Sequence, residues 1–210
     1  MFFFFDNPKI SVGLTQFIDF TVKQTMLSKM NAVNKIKNQG EYHPAKDHWK
    51  QLRDRIKLCY EKNLPIDSLD SLLLEVHEKK VDSYSQAIKS FKKFVRNKDT
   101  QWFTPPKAIW KSDGELVVRA TAEVGLYIDG KPYLIKLFFK GATEKITERN
   151  IKPILTLMSE ASYEKPYPPD TAFCVFNTKT GKLHIGTQID PELSKALRYE
   201  IKIFEDIWND

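Results

Sequence analysis

The sequence is poor in the residues that mark several function classes. Two cysteines, Cys59 and Cys174, occur in 210 residues, and they show no C-x-x-C spacing. That spacing leaves no disulfide framework and points to reduced core thiols in a cytoplasmic protein. The four histidines, His43, His48, His77 and His184, form no H-E-x-x-H pattern, so no zinc site is expected. The eight glycines are scattered, with no G-x-G-x-x-G and no Walker loop to cradle a phosphate. No G-x-S-x-G marks a nucleophile. No apolar run approaches the roughly 18 to 20 residues that cross a bilayer, so no membrane partner is expected. The opening Met1–Phe5 run is apolar but short, lacks a basic flank and stops at Asp6. It reads as an arm rather than a signal peptide. The Phe2–Phe5 side chains would pack into the chain's own core, or into a second copy or another protein partner.

What the chain does hold is a normal core-forming share of apolar residues, 41%, and an uneven charge. The formal net charge is +6. Residues 1–100 carry 18 Lys and Arg against 12 Asp and Glu, and residues 101–210 carry 15 of each. The whole excess therefore sits in the first half. A basic half suits an acidic partner, nucleic acid being the commonest.

Periodicity divides the chain at about residue 100. Leu14, Phe17, Ile18, Val22, Met26, Met30 and Val33 recur at helical spacing, which predicts one long helix capped by Ser11 and stopped at Gly40. Ala45, Trp49, Leu52, Ile56 and Cys59 predict a second helix, and Leu69, Leu72, Leu73 and Val76 a short third. Tyr84, Ala87, Ile88, Phe91, Phe94 and Val95 form the apolar stripe of a fourth, from about Asp82. Its other face carries Lys89, Lys92, Lys93 and Arg96, the densest basic stretch of the chain. A run of this kind is a solvated helix face or a stripe that tracks phosphates.

Beyond Pro105-Pro106 the period shortens to two. Residues 108–110 predict a short strand and residues 115–128 a long one. Asp129-Gly130 is a two-residue hairpin turn, and residues 131–140 return. A helix over 141–163, a hairpin over 171–186 and a final helix opened by Asp190-Pro191-Glu192 complete the pattern. The fold class is thus α/β. A helical, basic region over 1–100 precedes a sheet-containing region over 101–210, the two forming one compact unit. The sheet is mixed, mainly antiparallel and flanked by helices, with an αβββαβ-like core.

The two-residue turn fixes the register of the central hairpin. One face pairs Leu126 with Tyr133, Val124 with Ile135, Ala122 with Leu137 and Ala120 with Phe139, and is apolar. The other sets Glu123 against Lys136, Thr121 against Phe138 and Arg119 against Lys140. Arg119, Lys136 and Lys140 would face phosphates there, with Phe138 and Tyr127 offering rings beside them.

The order helix, three strands, helix, strand over residues 82–177 resembles the core of the PD-(D/E)XK nuclease superfamily. In that family an acid on the second strand and a D/E-x-K on the third hold a metal and position water. Glu123 matches the second-strand acid. Phe138-Phe139-Lys140 stands where D/E-x-K is expected, with Phe138 in place of the acid. Moving to Lys136 puts Leu134 there instead. The resemblance implies a degenerate member that binds nucleic acid without cutting it and needs no cofactor. Its alternative is a Mg²⁺-dependent nuclease using Glu123 and Lys140, with an acid from elsewhere such as Glu115 or Asp113. A third class is a protein-interaction module of a defence or phage-related kind.

Overall fold

The computed structural model describes residues 10–40, 47–139, 148–186 and 190–210. The chain begins there not in a helix but in a strand, β1 (Ile10–Gly13), where Ile10 and Val12 are buried and Ser11 points outward. Ser11 therefore caps nothing. Helix α1 (Leu14–Thr21) follows, and the expected long helix breaks after it. Thr25 then starts a second helix, α2 (Met26–Lys37), through reciprocal bonds with Ser28 at 3.2 and 3.3 Å. The periodicity across 14–33 was real, but two local caps won over continuity.

Helix α3 (Lys50–Glu61) and a 3-10 segment (Ile66–Leu74) lead to α4 (Glu78–Val95), a four-residue earlier start than the stripe suggested. Strands β2 (Thr100–Trp102), β3 (Ala108–Lys111) and β4 (Leu116–Arg119) follow. The hairpin strands are β5 (Val124–Ile128) and β6 (Lys131–Phe138). Asp129 and Gly130 both have positive φ, 51° and 80°, as a type I′ turn requires. Helix α5 (Glu148–Glu160) contains Pro153, and β7 (Ser162–Tyr163), β8 (Ala172–Asn177) and β9 (Lys182–Ile185) come next. Asp190 caps the last helix, α6 (Pro191–Asn209), by accepting from the amides of Glu192 and Leu193.

The expected long strand over 115–128 is two strands in two sheets. One sheet has the order β1-β4-β3-β7, the other β2-β5-β6-β8-β9. Ala120 to Glu123 carry the chain from the first to the second. Pairing is parallel for β1 with β4 and for β6 with β8, and antiparallel elsewhere. In the five-stranded sheet, α4, β2, β5, β6, α5 and β8 succeed one another as αβββαβ, with β3 and β4 inserted between the first and second strands.

That sheet is covered on both faces. Val124, Leu126, Ile128, Ile135, Leu137, Cys174 and Phe176 pack with α3, the 3-10 segment and α4. Leu134, Phe138 and Val175 turn the other way, into a core shared with α1, α5, α6 and the four-stranded sheet. Each core draws on both halves of the sequence. Lys29 joins α2 to α6 by its ion pair with Glu200, and Lys37 donates to the Trp208 carbonyl at 2.6 Å.

Candidate nucleic-acid interface

The register of the hairpin is as the turn dictates, from Ile128 with Lys131 to Val124 with Ile135. The charged cluster expected beyond it does not assemble. Arg119 ends β4 in the other sheet, beside Gly13 of β1 and Ile109 of β3. Its guanidinium donates to Ser11 Oγ at 2.7 Å, and burial holds it below its ordinary value. Phe138 is 5% exposed, so it is a core ring and not a stacking platform. Tyr127 packs edge-on against Phe103, with ring centroids 5.4 Å apart. Lys140 lies outside the described residues, as does the Phe2–Phe5 arm.

Glu123 and Lys136 do meet, as an ion pair whose side chains are only 18% and 12% exposed. The second carboxylate oxygen accepts from the Leu137 amide at 2.8 Å. The local cause is the sheet switch. Because β5 begins only at Val124, Leu137 lacks the neighbour that would continue the antiparallel ladder, and the Glu123 side chain substitutes for it. Lys136 also reaches the Thr121 carbonyl at 3.5 Å. The pair closes the open end of the hairpin inside a core. Lys136 is thereby committed within the protein, and Glu123 has both oxygens in use.

The α4 stripe has a different fate. Residues 89, 92, 93 and 96 fall three and four apart and so share one face. Lys92 reaches back to the 3-10 segment, 2.6 Å from both Asp67 and Asp70. Those two carboxylates hold its ammonium above the ordinary range, and Lys92 holds Asp67 below the ordinary carboxyl range. Lys89, Lys93 and Arg96 remain exposed and form no ion pair among the described residues, although the Arg96 charge adds to that of Lys92 in holding Asp67 low.

The structure adds two cations to this face. Between β8 and β9, Asn177 Oδ1 accepts from the amides of Lys179 and Thr180, and Gly181 takes φ 73° to close the turn. The turn lies against α4: Ser90 Oγ donates to the Lys179 carbonyl at 3.4 Å. Lys179 and Lys182 are exposed on it, and neither pairs with a carboxylate among the described residues. Ser90 is flanked on its own helix by Lys89 and Lys93. The turn itself was legible in the sequence, but nothing local in Thr178–Gly181 says that it docks on α4. Burial first and Lys182 second push the His184 imidazole below its ordinary value.

Among the described residues no three His, Cys, Asp or Glu side chains group as metal ligands, and no helix is long and apolar enough to cross a membrane. Compared with known proteins, the chain matches no family model, and no curated protein sequence matches it.

Proposed function

We propose that this is a nucleic-acid-associated protein that binds without catalysing a reaction, and that its contact surface is the outer face of α4 with the β8–β9 turn. One observation carries the reading. Lys89, Lys93 and Arg96 stand in an exposed row and form no ion pair among the described residues, and the turn bearing Lys179 and Lys182 is docked beside them. Several other cations of the helical half are held within the protein, Lys29 by Glu200 among them. Lys50, Arg53, Arg55, Lys57 and Lys92 all pair with carboxylates.

A row of unpaired ammonium and guanidinium groups on a rigid helix suits a phosphate backbone and reads no bases. Affinity would therefore be largely independent of sequence and steeply dependent on salt. Five cations meeting five phosphates give a slope of log K against log salt of about −4.5 on duplex DNA. Fluorescence anisotropy with a labelled duplex across a salt series tests this. A slope shallower than about −1, or no binding at low salt, overturns the reading.

A metal-dependent nuclease of PD-(D/E)XK type is the second reading. It is favoured by the αβββαβ order, with Glu123 at the start of the second strand and Lys136 on the third. Its chemistry needs carboxylates free to hold Mg²⁺. Glu123 instead spends its oxygens on Lys136 and the Leu137 amide. Mg²⁺- or Mn²⁺-dependent cleavage of DNA or RNA that is lost in Glu123→Gln would replace the binding reading with this one.

A further inference from the structure

At the C-terminal end of α4 a cleft of about 500 Å³ opens between two helix ends. Its size is that of a small-ligand pocket. Helix α3 closes on Asn63 (φ 49°) and α4 on Asn97 (φ 59°), each in the left-handed conformation that turns the chain out of a helix. The backbone requirement explains why each position holds Asn. It leaves both carboxamides at the mouth of the cleft, exposed and without a hydrogen-bond partner among the described residues.

The interior is partly apolar, formed by Tyr60, Leu64, Ile66 and Val95. The Tyr60 ring is stacked on Trp102, with centroids 5.7 Å apart and planes 17° from parallel, which holds the ring rigid. The hydroxyl of Thr100 accepts from Tyr60 at 3.5 Å. Lys92, Arg96 and Lys98 stand on the rim against one acid, Asp67. Two of the three cations are occupied. Lys92 holds Asp67 and Asp70, and Lys98 donates to the Phe94 carbonyl at 2.5 Å, meeting the negative end of α4. Arg96 makes no ion pair among the described residues, although its charge acts on Asp67, and it is also the last cation of the α4 row.

We propose that this cleft takes one unpaired nucleotide. Its base would lie among Tyr60, Leu64 and Ile66, its edge would face the Asn63 and Asn97 carboxamides, and its phosphate would meet Arg96. Each part has matching chemistry: an apolar and aromatic bed for a base, amides that can donate and accept at a base edge, and a guanidinium for a phosphate. The inference rests on the α4 reading in so far as Arg96 links the cleft to the row, so that a strand tracked along Lys89 and Lys93 delivers its end to the cleft. The same chemistry would accept a free mononucleotide.

Two probes separate these sources. The first is adenosine 5′-monophosphate, compared with adenosine and with inorganic phosphate, read by amide chemical shifts in NMR. AMP should shift Asn63, Asn97 and Thr100, and bind at least tenfold more tightly than either half alone. Leu64→Trp, which fills the cleft from a position 43% exposed, should abolish the shifts while the rest of the spectrum stays folded. Arg96→Gln should weaken AMP more than adenosine. AMP binding no tighter than phosphate, or unaffected by Leu64→Trp, overturns the assignment.

The second probe is a duplex with and without a three-nucleotide overhang. A gain of about fivefold from the overhang that vanishes in Leu64→Trp identifies a strand end as the source. AMP binding without an overhang gain identifies a free nucleotide. A duplex that binds while AMP does not leaves the α4 row standing and removes the cleft. AMP bound in the cleft with no duplex binding removes the row and keeps the cleft.

Discussion

Replacing Lys136 by methionine keeps its aliphatic stem and removes its charge, leaving Glu123 in a core position with no counter-ion. Breaking a buried pair from one side costs about 3 to 5 kcal/mol. The side chains here keep 18% and 12% of their exposure, so the lower end, about 3 kcal/mol, is the expected loss. For a chain of this size that lowers Tm by about 6 to 12 °C. Glu123→Ala should cost more, because the Leu137 amide then loses its acceptor as well, a further penalty of about 1 to 3 kcal/mol. Glu123→Gln can still accept from that amide and should fall between. Combining Glu123→Gln with Lys136→Met should be milder than the sum of the two, with a coupling of at least about 1 kcal/mol. Urea unfolding of the four variants measures all of this. Single variants within about 0.5 kcal/mol of the parent would refute the argument that the pair closes the hairpin inside a core. A Lys136→Met protein that folds normally but loses duplex affinity would return Lys136 to a phosphate-facing surface.

Two further outcomes are expected. Gly125→Ala places its new methyl 2.4 Å from the Phe103 carbonyl oxygen, a backbone atom that cannot swing aside. The cost should be at least about 1 to 3 kcal/mol by urea unfolding, and a neutral result would mean that β2 moves freely over β5. Burial pushes the Cys174 thiol up to about 12. The folded chain therefore keeps that proton where an unfolded thiol, with a value of about 8.5, gives it up. Stability should be unaffected by this group below about pH 8 and fall progressively as pH rises from there towards 12. Cys174→Ala should flatten that part of the curve, and an unchanged slope would contradict the assignment.

How far the sequence could be read depended on how local each cause was. The Asp129-Gly130 turn, the Asp190 cap and the apolar stripe of α4 are set by neighbouring residues, and each appears where its signal lies. The α4 stripe also placed Lys89, Lys93 and Arg96 correctly on one exposed face. The switch at Ala120 to Glu123 was not legible, because alternation of side chains continues through it from Val118 to Leu126. Only the arrival of β1 and β3 beside β4 shows that this segment changes sheets. The charged hairpin face looked solvated for the same reason, since nothing near Lys136 announces that α5 and a second sheet cover it. β1 was hidden by its length, four residues being too few to distinguish a strand from the approach to a helix. The capture of Lys92 by Asp67 and Asp70, and the docking of the β8–β9 turn on Ser90, join segments distant in sequence. That Asn63 and Asn97 line one cleft was equally invisible, because each asparagine alone reads as a helix stop.

If the α4 face, and not the hairpin, carries the contact with nucleic acid, duplex binding depends on Lys89, Lys93 and Arg96. The most direct test is duplex binding by anisotropy at low salt for Lys89→Glu, Lys93→Glu and Arg96→Glu combined. These side chains are exposed and make no ion pairs among the described residues, so the variant should fold with near-parental stability. Affinity should fall at least about a hundredfold, and the salt slope should become shallower by about 3. Parental affinity and slope in a folded triple variant would contradict that assignment.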